Sequence, residues 1–122
     1  MADSKDPLHI KSLKARDEWL EQGGILVTSN YVLDETLTLI RMRIGIEAAE
    51  KWWTMISDSP RCNVEWIIPE RTEKAVRWFF SWRDQSFSFT DCTSFILMKE
   101  LGLEDVLTGD QHFAAAGFRI HP

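Results

Sequence analysis

Apolar positions along the chain change period several times, and each change marks an element. After Asp6-Pro7, residues Leu8, Leu13, Ala15, Trp19 and Leu20 recur at helical intervals until Gly23-Gly24, which predicts a surface helix over 8–22. ILVT, from Ile25 to Thr28, is a short apolar run bounded by glycines and Ser29-Asn30, the pattern of a buried strand leading into a capped helix. That helix, YVLDETLTLIRMRI, extends to Gly45, and a second, IEAAEKWWTMIS, is closed by Ser57, Asp58, Ser59 and Pro60. NVEWII predicts another strand, and Pro69 suits the first turn of the helix PERTEKAVRWFFSWRD. SFTDCTSFILMKEL forms the next helix up to Gly102, followed by DVLTGD as strand, QHFAAAG as a short helix and FRIHP as a last strand. Strands separated by helices require crossover connections, so the expected fold class is α/β, a parallel sheet with helices on both faces. No repeat or linker interrupts the pattern, and the 122 residues read as a single domain.

Composition narrows the functions available. A hydrophobic content of 44% supports one compact core, while a formal charge of −5 argues against holding nucleic acid through a broad basic surface. No apolar run approaches the roughly 20 residues that span a bilayer, and MADSKDPLH lacks the apolar centre of a secretory signal, so a cytoplasmic protein without membrane association is expected. The two cysteines, Cys62 and Cys92, have no metal-site or disulfide spacing and are expected to be core thiols. Six tryptophans are many for this length, and WFFSWRDQSFSF is the densest aromatic stretch. Its rings suit a core or a dimer interface, or alternatively stacking on unpaired bases.

Three acids stand out, and for two of them, Asp91 and Asp110, helix capping alone is a sufficient explanation when each is taken singly. Asp110 ends VLTGD, which places it at the carboxyl edge of a strand and also at the N-cap of the next helix. Glu35 projects, at about 100° per residue, into the arc of Tyr31, Val32, Leu39 and Met42, and is expected to face inward. A carboxylate so placed must be paired, hydrogen-bonded, protonated or metal-bound. Asp91 lies three residues after Ser88, so a capping box explains it completely when it is taken alone, although Phe95 and Met98 share its side of the helix. A parallel sheet would bring the three to one edge, where mutual repulsion calls for a shared proton or a cation. Oxygen ligands suit Mg²⁺ or Mn²⁺, and the chemistry implied is metal-assisted phosphodiester hydrolysis.

LVTSNYVLDETLTLIRMRIG, SFTDCTSFILMKELGLEDVLTGDQHF and GFRIHP resemble the PIN domain, close to the toxin nucleases of the VapC type. The resemblance implies a three-layer α/β/α sandwich, a Mg²⁺- or Mn²⁺-dependent endoribonuclease acting on an RNA substrate, a homodimer, and an antitoxin protein as partner. It assigns Glu35, Asp91 and Asp110 to the catalytic metal site, gives the hydroxyls of Thr90 and Thr108 a role in orienting ligands or water, and gives His112 a supporting role rather than ligation. Gln111 occupies a position that often carries a basic residue. Family members also begin with a strand running into an Asp-Thr/Ser pair, whereas MADSKDPLH reads as the loop and helix start that follow it, and Asp3-Ser4 has no strand before it. The expectation is therefore a sheet without its N-terminal central strand and a site of three acids instead of four, with impaired activity. Either the reading frame begins further upstream, or the protein is a non-catalytic dimerisation or antitoxin-binding module. A single-stranded RNA binder is a further alternative, which the acidic charge disfavours.

Overall fold

The structure, a computed structural model, describes residues 24–122. The expected helix over 8–22 and the question of an N-terminal strand lie outside these residues. In chain order the elements are β1 (Leu26–Ser29), α1 (Asn30–Arg43), α2 (Ile46–Asp58), β2 (Cys62–Glu65), α3 (Pro69–Ser81), α4 (Phe89–Leu101), β3 (Asp105–Val106), α5 (Gln111–Ala115) and β4 (Arg119–Ile120).

Among the described residues the strands form two parallel pairs. Leu26 to Ser29 of β1 run opposite Cys62 to Glu65 of β2. Asp105 and Val106 of β3 face Arg119 and Ile120 of β4. Parallel pairing joined by helical crossovers is the α/β organisation that the alternating pattern predicts.

Local signals explain most boundaries. Ser29 caps α1 by accepting a hydrogen bond from the Val32 N–H at 3.2 Å. Pro69 opens α3 where its missing N–H costs nothing. Gly102 ends α4 with φ at 69°, a left-handed conformation that a side chain would strain. The first strand has the expected length, shifted by one residue, and the later ones are shorter than expected. Of NVEWII only Asn63 to Glu65 is strand, which begins at Cys62; beyond Glu65 the Ile68 N–H turns back onto the Trp66 carbonyl at 3.0 Å, and Ile68 is held as the N-cap of α3 before a proline. DVLTGD is likewise a strand only over Asp105 and Val106, after which Thr108 and Asp110 turn the backbone toward α5.

The main core lies around α3 and α4. Ala75, Phe87, Cys92, Phe95, Met98 and Phe118 are buried together. Phe95 is at the centre: Phe87 and Phe113 meet it edge to face with centroids 4.9 Å away, and Phe118 stacks at 5.7 Å. The aromatic stretch therefore supplies core packing through Phe87 and the half-buried Trp78, while Phe80 stays 61% exposed. A second, smaller cluster joins α1 to α2 through Ile40 and Ala49. Arg71 of α3 ties the layers at the edge of this core. Its guanidinium forks onto Glu100 of α4 at 2.9 and 3.1 Å, reaches Glu65 of β2 at 3.2 Å and donates to the Trp66 carbonyl at 2.9 Å. Of the two thiols expected in the core, only Cys92 is buried. Cys62 is partly exposed, since it begins the β2 strand, which pairs with β1 alone among the described strands.

Candidate active site

Two aspartates from separate elements meet at the start of α4, and each is fixed by its own backbone before the other is reached. Asp91 completes a capping box: its N–H donates to Ser88 Oγ at 3.0 Å, and its Oδ2 accepts the Ser88 N–H at 3.1 Å. The capping role anticipated from Ser88-x-x-Asp91 is thus real. It occupies only one oxygen of the carboxylate.

Asp110 caps α5, accepting the His112 N–H on Oδ1 at 2.9 Å. Its own N–H donates to Thr108 Oγ1 at 3.1 Å, so the Thr108 hydroxyl sets the backbone that carries the acid. Thr90 contributes through its carbonyl, which accepts the buried Thr93 hydroxyl at 2.6 Å and stiffens the first turn of α4 beneath Asp91. Gln111 is exposed.

The turn into α5 carries His112 back between the two acids. Its Nδ1 lies 3.4 Å from Asp91 Oδ2 and 3.3 Å from Asp110 Oδ1. The other ring nitrogen, Nε2, is 3.3 Å from Ser86 Oγ, and the buried Phe87 ring stands edge-on to the imidazole at 5.6 Å. One ligand atom from each of Asp91, Asp110 and His112 falls within 4.8 Å of the others. Oxygen donors from two carboxylates across so short a span fit a divalent cation, which would relieve their repulsion. The family resemblance implies only a supporting role for His112, and Ser86 carries no mark in the sequence. The Asp110-x-His112 spacing at a helix start was a usable signal for the histidine, whereas nothing local marks Ser86, which is 26 residues away.

Glu35 departs from its expected setting. It is exposed, and it is not a member of the Asp91, Asp110 and His112 cluster. The arc taken to face inward is not the buried one: α1 buries Leu33 and Ile40, on the opposite side, and Met42 is 77% exposed. Glu35 does share a face with Tyr31, one turn earlier, and the Tyr31 ring rests 6.1 Å from Phe89, two residues before Asp91. Its carboxylate therefore extends into solvent from the helix face that adjoins the start of α4.

The charge of this site reaches the core beneath it. Burial pushes the Cys92 thiol up to about 11, and the neighbouring Asp91 carboxylate adds to the rise. Cys92 is a protonated packing group at neutral pH and not a nucleophile.

A parallel α/β chain that brings aspartates from two separate helix starts together has the architecture of an acid-site phosphodiesterase. No protein-family model matches the chain. Among curated proteins it is 35% identical over 104 residues to the 23S rRNA-specific endonuclease VapC20 of Mycobacterium tuberculosis, in strains CDC 1551 / Oshkosh and H37Rv, across 85% of this chain and 79% of theirs. The crystal structure of Mycobacterium tuberculosis VapC20, a sarcin-ricin loop cleaving toxin, superposes with a TM-score of 0.83 at 32% identity, covering 96% of this chain and 87% of that one. The chain belongs to the PIN-domain, VapC-type toxin ribonucleases, with their α/β sandwich, and is a PIN-type endoribonuclease. Toxins of this family act on RNA, pair with antitoxins and generally depend on divalent metal. No helix among the described residues is long and apolar enough to cross a membrane.

Proposed function

We propose that this chain is a Mg²⁺- or Mn²⁺-dependent endoribonuclease that cuts ribosomal RNA, with Asp91 and Asp110 as catalytic carboxylates holding the metal. The observation that carries this reading is the convergence of the two acids, 19 positions apart in the chain and each already anchored by a helix cap, to within 4.8 Å of each other and of His112. When bound, the cation supplies a nucleophilic water at neutral pH and offsets the charge on the scissile phosphate. Glu35, exposed on the face of α1 that adjoins the start of α4, is the acid proposed to join them once a cation is bound, and Thr90 and Thr108 keep the two aspartate backbones in register. The choice of ribosomal RNA follows from VapC20, which is named as 23S rRNA-specific and whose crystal structure is described as that of a sarcin-ricin loop cleaving toxin. A single PIN-like domain acting in the cytoplasm, held by an antitoxin until released, completes the proposal.

The test is cleavage of purified ribosomes and of a sarcin-ricin stem-loop, using the 122-residue chain and a form extended through any in-frame upstream codons. A single cut that needs Mg²⁺ or Mn²⁺, stops with chelator and is lost in Asp110→Asn supports the proposal. Cleavage that persists in Asp110→Asn, or that ignores chelator, refutes it.

Exposed apolar side chains favour an accompanying role in assembly. Trp66 is 64%, Phe80 61% and Ile68 47% exposed, more apolar surface than a protein acting alone has reason to carry. The proposal is a homodimer, and a monomer by light scattering across the micromolar range would count against it.

A further inference from the structure

We propose that His112 is itself a metal ligand, through Nδ1, and that Ser86 is the residue that orients it, so that this site favours Mn²⁺ over Mg²⁺. The inference rests on the reading that Asp91 and Asp110 hold a divalent cation, and it changes the donor set from oxygen alone to oxygen plus imidazole nitrogen.

Three restraints on the ring carry it. Nδ1 lies almost equally far from the two acids, 3.4 Å from Asp91 Oδ2 and 3.3 Å from Asp110 Oδ1, which is the relation of ligand atoms sharing one small ion. At the far side of the ring, Nε2 is 3.3 Å from Ser86 Oγ. A ligating histidine characteristically donates its second ring N–H to an outer acceptor, which leaves the lone pair on the nitrogen facing the metal. Ser86 Oγ is placed to be that acceptor. The third restraint is Phe87, 6% exposed and perpendicular to the imidazole at 5.6 Å, a fixed wall that limits rotation of the ring. The half-exposed ring edge keeps the site open to water and substrate.

The alternative arrangement has Nδ1–H donating to both carboxylates and filling the space between them. In that arrangement metal binding displaces the ring, and removing His112 leaves metal preference unchanged. Ligation predicts the reverse, because imidazole suits first-row transition ions whereas Mg²⁺ keeps oxygen ligands and water.

Binding of Mn²⁺ and of Mg²⁺ alone, measured by calorimetry on the folded full chain, tests this without RNA, together with pulsed electron paramagnetic resonance of the Mn²⁺-loaded protein. The wild-type spectrum is expected to show ¹⁴N coupling from a bound imidazole. In His112→Ala that coupling disappears and Mn²⁺ affinity falls about tenfold or more, while Mg²⁺ affinity changes far less. Ser86→Ala, remote from the metal itself, is expected to keep the coupling and lose Mn²⁺ affinity a few-fold. Should His112→Ala not fold, His112→Asn gives the same reading, since an amide oxygen replaces the nitrogen and the coupling is lost. If Asp91→Asn abolishes binding but His112→Ala keeps both the coupling and the Mn²⁺ to Mg²⁺ ratio, the inference is overturned and the aspartate site stands. If the wild-type chain binds neither ion, or Asp91→Asn leaves Mn²⁺ affinity intact, the metal reading of the site falls and the inference falls with it.

Discussion

Asp91 carries two duties, and replacing it with asparagine separates them. In the capping box the Asp91 N–H to Ser88 Oγ bond belongs to the backbone and survives the change, and the amide oxygen of asparagine can still accept the Ser88 N–H that now sits 3.1 Å from Oδ2. What is lost is the charge on that second bond and its interaction with the helix N-terminus, about 0.5–1 kcal/mol each at a cap whose Ser88 is exposed although the Asp91 side chain is partly covered. Part of this is returned by removing one of two neighbouring carboxylates, so the net cost is about 1 kcal/mol or less. For a domain of this size that is a fall in Tm of about 3–6 °C. With a typical stability of at least ~5 kcal/mol, more than about 99% of the protein remains folded under assay conditions. RNA cleavage is nevertheless expected to fall about 100-fold or more, because the metal loses an anionic ligand. Ser88→Ala is the matched control: it removes the cap, costs about 1 kcal/mol and leaves every acid in place, so it should destabilise as much while retaining most activity. Thermal melts and initial cleavage rates on the same preparations decide the matter. Equal losses of activity in the two variants, or an Asp91→Asn melt lowered by more than about 10 °C, would show that Asp91 acts through helix stability alone.

Replacing Arg71 with methionine should lower unfolding free energy by about 2 kcal/mol in urea, since a fork onto Glu100, a bond to Glu65 and one to the Trp66 carbonyl are lost together but both acids are more than a third exposed; a change below about 0.5 kcal/mol would mean the fork is ornamental. Hydrogen bonds from Arg119 and His121 hold the Asp105 carboxyl down at about 2 from 3.8, so its contribution is complete above pH 3.8 and is lost as pH falls through about 2. Because that carboxylate is 43% exposed, the effect is about 1 kcal/mol or less, and Asp105→Asn should flatten the acid limb of a stability profile measured between those two pH values. Cys92, fully buried with its thiol pushed up to about 11, should resist alkylation at pH 8 in the folded protein while the partly exposed Cys62 is modified first. Mass spectrometry of the labelled peptides checks this, and early labelling of Cys92 would contradict the burial that supports it.

Short-range chemistry was legible in the sequence. Ser88 with Asp91, Gly102 at a helix end and Asp110 before a short helix each specify a boundary through bonds spanning two or three residues, Pro69 marks a first turn by the N–H it lacks, and the structure has each where expected. Period changes likewise gave the order of helices and strands and hence parallel pairing. The face of α1 was not legible, because Tyr31, Val32, Leu39 and Met42 make as apolar an arc as Leu33 and Ile40, and only tertiary packing decides that Leu33 and Ile40 are buried while Leu39 is partly covered and Met42 is exposed. That choice put Glu35 in solvent. The meeting of Asp91, Asp110, His112 and Ser86 was decided by tertiary structure for the same reason: each cap fixes its own residue, but the few ångströms between them depend on how α4 and α5 pack around Phe95 and Phe87, contacts that no local pattern encodes.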